Sequence, residues 1–167
     1  MSTTIIAAYV AVMQSLSPAE RVTKLPQFPG WEETAEQRTE RYEEIAKDLN
    51  EVLSKETPFF YGPNGRERTA AWLIGTAFME SGFSKDVDHG PCYRDSKKTK
   101  MRCDSGRSAC MLQIMVDKGT TKEGHTMADL FGDRKKCFTS GLRRMKKSID
   151  NCVKINGANA ALAQFAS

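Results

Sequence analysis

Glu80 is the residue best placed for chemistry, an ionisable group standing where an apolar run stops. From Arg66 to Phe83 the chain reads Arg-Glu-Arg-Thr-Ala-Ala-Trp-Leu-Ile-Gly-Thr-Ala-Phe-Met-Glu-Ser-Gly-Phe. Ala70, Ala71, Trp72, Leu73, Ile74, Ala77, Phe78 and Met79 cover almost every direction of a helical wheel, which predicts a central helix buried on all sides. Gly82 suits the left-handed residue that closes such a helix. Glu80 is then expected at a helix mouth, where partial desolvation and the negative partial charge of the C-terminus both favour the protonated acid. A carboxylic acid kept partly neutral can protonate a leaving oxygen, as glycosidic bond cleavage requires. The plainer alternative is a helix-terminal glutamate that is solvated or salt-bridged to an arginine. Gln113 is the second residue of interest, because it alone interrupts the apolar segment Ala109 to Met115. A buried amide must find hydrogen-bond partners, so Gln113 either ties down the backbone or points into a cleft.

Metal chemistry is not expected. The five cysteines, Cys92, Cys103, Cys110, Cys137 and Cys152, contain no CxxC pair, and His89 and His125 are the two histidines of the chain. An odd count allows at most two bridges within one chain and leaves one thiol over. Cys92 and Cys103 flank the polar stretch 93–102 and suit a bridge that closes it. Cys137 and Cys152 would lie over about 20 Å apart along one helix and could pair only if that helix broke.

The elements that must position Glu80 follow from periodicity. Thr3 to Leu16 reads as a helix, and Ser17-Pro18-Ala19-Glu20 starts a second, short one with a capping box and proline at its first position. A long amphipathic helix is expected from Trp31 to about Lys55, with Tyr42, Ile45, Ala46, Leu49, Val52 and Leu53 on its packing face. The turn-rich break at 57–64 is the expected seam between an N-terminal helical extension, 1–62, and a second domain, 63–167. The extension either packs on the core or links to it. Residues 84–108 predict an irregular or short-hairpin lobe. Met127 to Phe131 predicts a helical turn, Arg134 to Val153 a helix with Phe138, Leu142, Met145, Ile149 and Val153 on one face, and Ala158 to Ala166 a further helix or turn. The fold class is therefore mostly α, or α+β with a small lobe.

With 167 residues, 40% of them hydrophobic and 28% charged, the chain has the make-up of one globular domain, or one domain with an appendage. The apolar run Ile5 to Met13 is too short to span a membrane and lacks the flanks of a classical signal peptide, so export would need another route. The net charge of +4 is mild, but Arg134, Lys135, Lys136, Arg143, Arg144, Lys146 and Lys147 cluster, as do Lys97, Lys98 and Lys100. Such clusters attract an anionic wall polymer, a membrane surface or nucleic acid, or else form a solvated helix face. No nucleic-acid recognition motif accompanies them, so no specific nucleic-acid partner is expected.

Glu80-Ser81-Gly82-Phe83, followed by Ser105-Gly-Arg-Ser-Ala-Cys-Met-Leu-Gln-Ile114, resembles the two signature stretches of soluble lytic transglycosylases and related lysozyme-like domains. These read Glu-Ser-x-Phe and Ser-x-x-Gly-Ala-x-Gly-Leu-Met-Gln-Ile. Thr126 to Phe131, Cys137-Phe138 and Gly141-Leu142 are similar to lysozyme-like proteins of phage and bacterial genomes. The terminal Leu162-Ala-Gln-Phe-Ala-Ser167 resembles the start of their Ala-Tyr-x-Ser/Asn-Gly motif, so the domain is expected to stop inside its last motif. Cys110 stands where the pattern has Gly, and Met111-Leu112 reverse its apolar pair. The likeness covers residues 66–167 and leaves 1–62 without a role.

What the resemblance implies is a lysozyme-like fold whose groove, near the lobe at 84–108, takes the MurNAc–GlcNAc strand of peptidoglycan. Glu80 would be the catalytic acid and then base, with Ser105, Gln113 and Ile114 binding substrate and no cofactor. Attack by the sugar's own 6-hydroxyl gives a 1,6-anhydro end, the outcome of a lytic transglycosylase. Attack by water gives a muramidase, which calls for a second carboxylate, with Asp86, Asp88, Asp104 and Asp117 as candidates. Asp86, Asp88 and Asp104 are expected to be solvated and flexible, which favours the 6-hydroxyl. Action on the cell wall follows, with phage-particle carriage and contact with other particle proteins through 1–62 as an expectation. The rival from another class is a non-catalytic structural component of a phage or injection particle.

Overall fold

A computed structural model describes residues 3–24, 30–90, 103, 106–116 and 118–156. The expected helix or turn at 158–166 lies outside the described residues. The chain is mostly helical with one small two-stranded antiparallel sheet. Helix α1 spans Thr3–Leu16, and a 3-10 turn follows at Ala19–Lys24. Helix α2 spans Ala35–Lys55, starting later than Trp31 because Thr34 and Gln37 form a reciprocal capping box that fixes the first turn. Its face of Tyr42, Ile45, Ala46, Leu49, Val52 and Leu53 is buried as its spacing predicts. Helix α3 spans Gly65–Ser81 and α4 Lys85–Asp88. Strands β1 (Ser108–Ala109) and β2 (Ile114–Met115) pair in the register Ser108 with Met115 and Ala109 with Ile114. Helix α5 spans Met127–Gly132 and α6 Arg134–Asn156.

One hydrophobic cluster runs through these elements, from Tyr9 and Met13 of α1, through Leu49 of α2 and Leu73 of α3, to Phe138 and Leu142 of α6. The core therefore crosses the turn at 57–64, and the N-terminal helices pack on the rest of the chain. Helix α6 is continuous past Cys137, which bonds to Cys110 with Cα atoms 6.2 Å apart. Cys103 is disulfide-bonded too. Its expected partner, Cys92, lies outside the described residues. The hairpin falls at 108–115, the stretch read from sequence as a plain apolar segment.

All-round burial of α3 does not hold. Ala70, Leu73, Ile74 and Ala77 face the core, but Arg66, Glu67, Arg68, Ala71, Met79 and Glu80 are exposed, with Met79 at 80%. The apolar residues that fill the wheel serve two surfaces, an inner one packed on the core and an outer one that forms the wall of a groove.

Candidate functional site

Along its outer face α3 presents Arg68, Trp72, Gly75, Met79 and Glu80 to a groove of about 1070 Å³. The opposite wall is α6, which contributes Gly141, Arg144, Met145 and Ser148 at helical spacing. Leu112, Gln113 and Ile114, at the tip of the hairpin, form a third side. Gly141 is where the walls meet, since a Cβ built there would run into Leu112 Cδ1. The turn itself needs left-handed backbone at Cys110 (φ 59°) and Gln113 (φ 46°). Gln113 ties down the backbone, the first of its two alternatives, and borders the groove as well. Its Nε2 donates to the Cys110 carbonyl at 3.0 Å and lies 3.1 Å from Cys103 Sγ, while the residue borders the groove. The Cys110–Cys137 bridge then fastens this turn to α6.

Glu80 and Gln113, both singled out from sequence, thus line one groove, joined there by Ile114. Glu80 is exposed, so the partial desolvation expected at the helix mouth is absent in the open groove. Helix α3 does end as foreseen, with Gly82 left-handed at φ 59° and its N–H donating to Phe78 O. Phe83 follows at φ 53°, is fully buried and packs edge-on against Tyr42. Ser105, Asp104 and Asp117 lie outside the described residues.

Asp86 and Asp88 are not solvated. Both are buried and neither borders the groove. Asp86 accepts from Ser84 Oγ at 2.5 Å. Asp88 belongs to an ionic hub behind the end of α3. Arg41 donates two bonds to Glu33, at 2.9 and 2.7 Å, one to Asp88 Oδ2 at 3.1 Å and one to the Phe83 carbonyl at 2.8 Å. Arg38 donates to Ser17 Oγ at 2.8 Å and to the Gly82 carbonyl at 3.1 Å. Arg134 of α6 clasps both oxygens of Asp88, at 2.8 and 3.0 Å. Burial pushes the Asp88 carboxyl up, but the bonds and charges of Arg134 and Arg41 outweigh it and hold the group below the usual carboxylate range. Burial likewise depresses the neighbouring His89 imidazole against the pull of Asp88. The hub was not foreseen. Its sequence signal is a pair of arginines, Arg38 and Arg41, on one side of an otherwise ordinary amphipathic helix, with Glu33 just ahead of its N-cap.

The basic cluster of α6 divides in two. Arg134 pairs with Glu44 and Asp48 as well as Asp88, Lys135 with Glu51, Lys136 with Asp129 and Arg143 with Glu56. Glu44, Asp48 and Glu51 lie on α2, so this part of the cluster ties α6 to α2. Arg144 and Lys146 have no acid partner among the described residues, and Arg144 borders the groove. Trp72, Phe60 and Arg68 are groove residues that sequence reasoning passed over. The interval of three to four residues from Arg68 through Trp72 and Gly75 to Met79, which ends beside Glu80, marks that face.

No helix among the described residues is long and apolar enough to cross a membrane. In comparisons with protein-family models, curated proteins and solved structures, nothing matches this chain.

Proposed function

We propose that the protein is a lysozyme-like enzyme that cleaves the MurNAc–GlcNAc bond of peptidoglycan, with Glu80 as the acid and then the base, and that it acts as a lytic transglycosylase. One observation carries this reading: Glu80 and Gln113, which come from two separate signature-like stretches of sequence, border the same long groove. The groove suits a glycan strand, since it is open and sets the rings of Trp72 and Phe60 among hydrogen-bonding groups such as Thr76, Gln113 and Ser148.

In the mechanism, a strand laid along α3 covers Glu80 and brings the glycosidic oxygen to its carboxyl. The acid protonates the glycosidic oxygen as the bond breaks. The resulting carboxylate then accepts the proton of the muramic 6-hydroxyl, which closes on the anomeric carbon to give the 1,6-anhydro end. Among the described residues Glu80 is the sole carboxylate bordering the groove. That supports the intramolecular route, because a tethered hydroxyl needs no second carboxylate to hold a water in place.

Incubation with purified peptidoglycan tests this. Loss of turbidity with anhydro-muropeptides in the mass spectrum is the expected result. Products heavier by one water from the earliest time points would make the enzyme a muramidase, and no clearing at all would overturn the enzymatic reading.

A further inference from the structure

The chain has eight methionines, and the described ones stand in different surroundings. Met13, Met111 and Met145 are buried in the core, whereas Met79 is 80% exposed and borders the groove next to Glu80. Met115, on β2, is exposed to a lesser degree and does not border the groove. The exposure of Met79 follows from the sequence one turn earlier. A helical side chain leans over the residues three and four positions before it, here Thr76 and Gly75. Gly75 has no side chain to offer, and a Cβ built there would meet nothing within 4 Å. It therefore leaves the Met79 thioether uncovered on that side and open to whatever enters the groove.

We propose that Met79 is a site of oxidation by peroxides, and that its sulfoxide lowers the activity of the groove; this rests on the reading of the groove given above. A lone pair of the thioether sulfur attacks one peroxide oxygen. The S–O bond forms as the O–O bond breaks, and the other oxygen leaves as water after taking up the proton of the transferred one. Sulfur loses two electrons and the peroxide gains them. The product replaces a polarisable apolar side chain with a polar one. Its oxygen holds water, and an apolar sugar face laid against it would strip that water without a bond in return. Met13, Met111 and Met145 are spared because close packing keeps the oxidant from their sulfurs.

The test treats the full-length protein with dilute hydrogen peroxide for increasing times. Each sample is read by peptide mass mapping, by thermal melting and by the rate at which it clears limiting purified peptidoglycan. Met79 should gain one oxygen ahead of Met115 and well ahead of Met13, Met111 and Met145. The clearing rate should fall about tenfold in step with the Met79 sulfoxide, the low end of what a misfitted apolar contact costs in a binding site. The melting midpoint should hold, because an exposed side chain supports no core. Met79→Leu should keep its own untreated rate through the same exposure, while Met115→Leu should lose activity as the parent does. Met79→Gln, polar and of similar length, should clear more slowly without any oxidant. Oxidation of Met79 no faster than that of the buried methionines, a sulfoxide form that clears undiminished, or a loss that persists in Met79→Leu would overturn the inference alone. So would a loss that comes only with a falling melting midpoint. Failure of the untreated protein to clear peptidoglycan would overturn the enzymatic reading and the inference with it.

Discussion

The two sides of the turn after Glu80 use the same kinds of residue to opposite ends. Behind it, Glu33, Arg38, Arg41 and Asp88 are buried and Arg134 is half-buried, and their charges are consumed by one another and by the carbonyls of Gly82 and Phe83. In front of it, Glu80, Arg68 and Arg144 face an open groove. A buried charge must be paired or it is not tolerated, so the hub is rigid and binds nothing new. An exposed charge costs little to leave unpaired and stays available to a ligand. The contrast separates fixing a group in place from using it: Arg38 and Arg41 lock the carbonyls just past α3 and so hold the end of the helix that bears Glu80.

Glu80→Gln should sharpen the contrast most. Turnover of peptidoglycan should fall by about 10²–10⁴-fold, the range for loss of a general acid–base group. Stability should change by no more than about 0.5 kcal/mol, as for other exposed positions. Undiminished clearing of a wall suspension would remove Glu80 from the chemistry. On the hub side the effect should appear in stability. Arg41→Ala leaves buried Glu33 without its closest arginine and Asp88 with Arg134 alone, and should cost about 3–5 kcal/mol in urea denaturation. A loss below about 1 kcal/mol would mean that the hub is not what holds the turn.

Acid should act on the hub. Asp88 titrates below its ordinary value in the folded protein, so the stability it contributes is complete above the unfolded value of about 3.9 and is lost as pH falls through the lower folded value. His89, also depressed, gives up its smaller share earlier, as pH falls from about 6.5 toward its folded value. Unfolding followed from pH 7 to pH 2 should show a shallow decline and then a steep one, and Asp88→Asn should flatten the steep limb. Two glycines give the smallest effects and opposite signs. Gly141→Ala should cost about 1–3 kcal/mol by driving a methyl into Leu112. Gly75→Ala meets nothing within 4 Å and should stabilise α3 by about 0.5–1 kcal/mol while narrowing the groove. If thermal melts show both changes to be neutral, the groove walls are looser than their packing indicates.

Much of the scaffold was legible in sequence because local signals dominate there. Helix α1 falls on Thr3–Leu16 as predicted, and Gly82 closes α3 in the left-handed conformation its position suggested. The face of α2 was readable because its apolar period is strict. What failed was the environment of individual charges. Asp88 looks like any loop aspartate until Arg41 and Arg134, distant in sequence, close over it, and no local pattern encodes that meeting. Glu80 failed in the other direction, because an apolar wheel does not say which of its sides meets the core and which lines a groove. The Cys110–Cys137 pairing was likewise hidden, since spacing argues against Cys137 with Cys152 but does not point to Cys110 as the partner of Cys137.

That bridge also makes residues 110–137 a covalent ring carrying Gln113 on one arc and the exposed turns near Lys118 and Lys122 on the other. A protease that cuts once within the far arc opens the ring without releasing either piece. Trypsin-nicked protein should therefore migrate as a single species until thiol reductant is added, and its hairpin should remain fastened to α6 after the peptide chain itself has been severed.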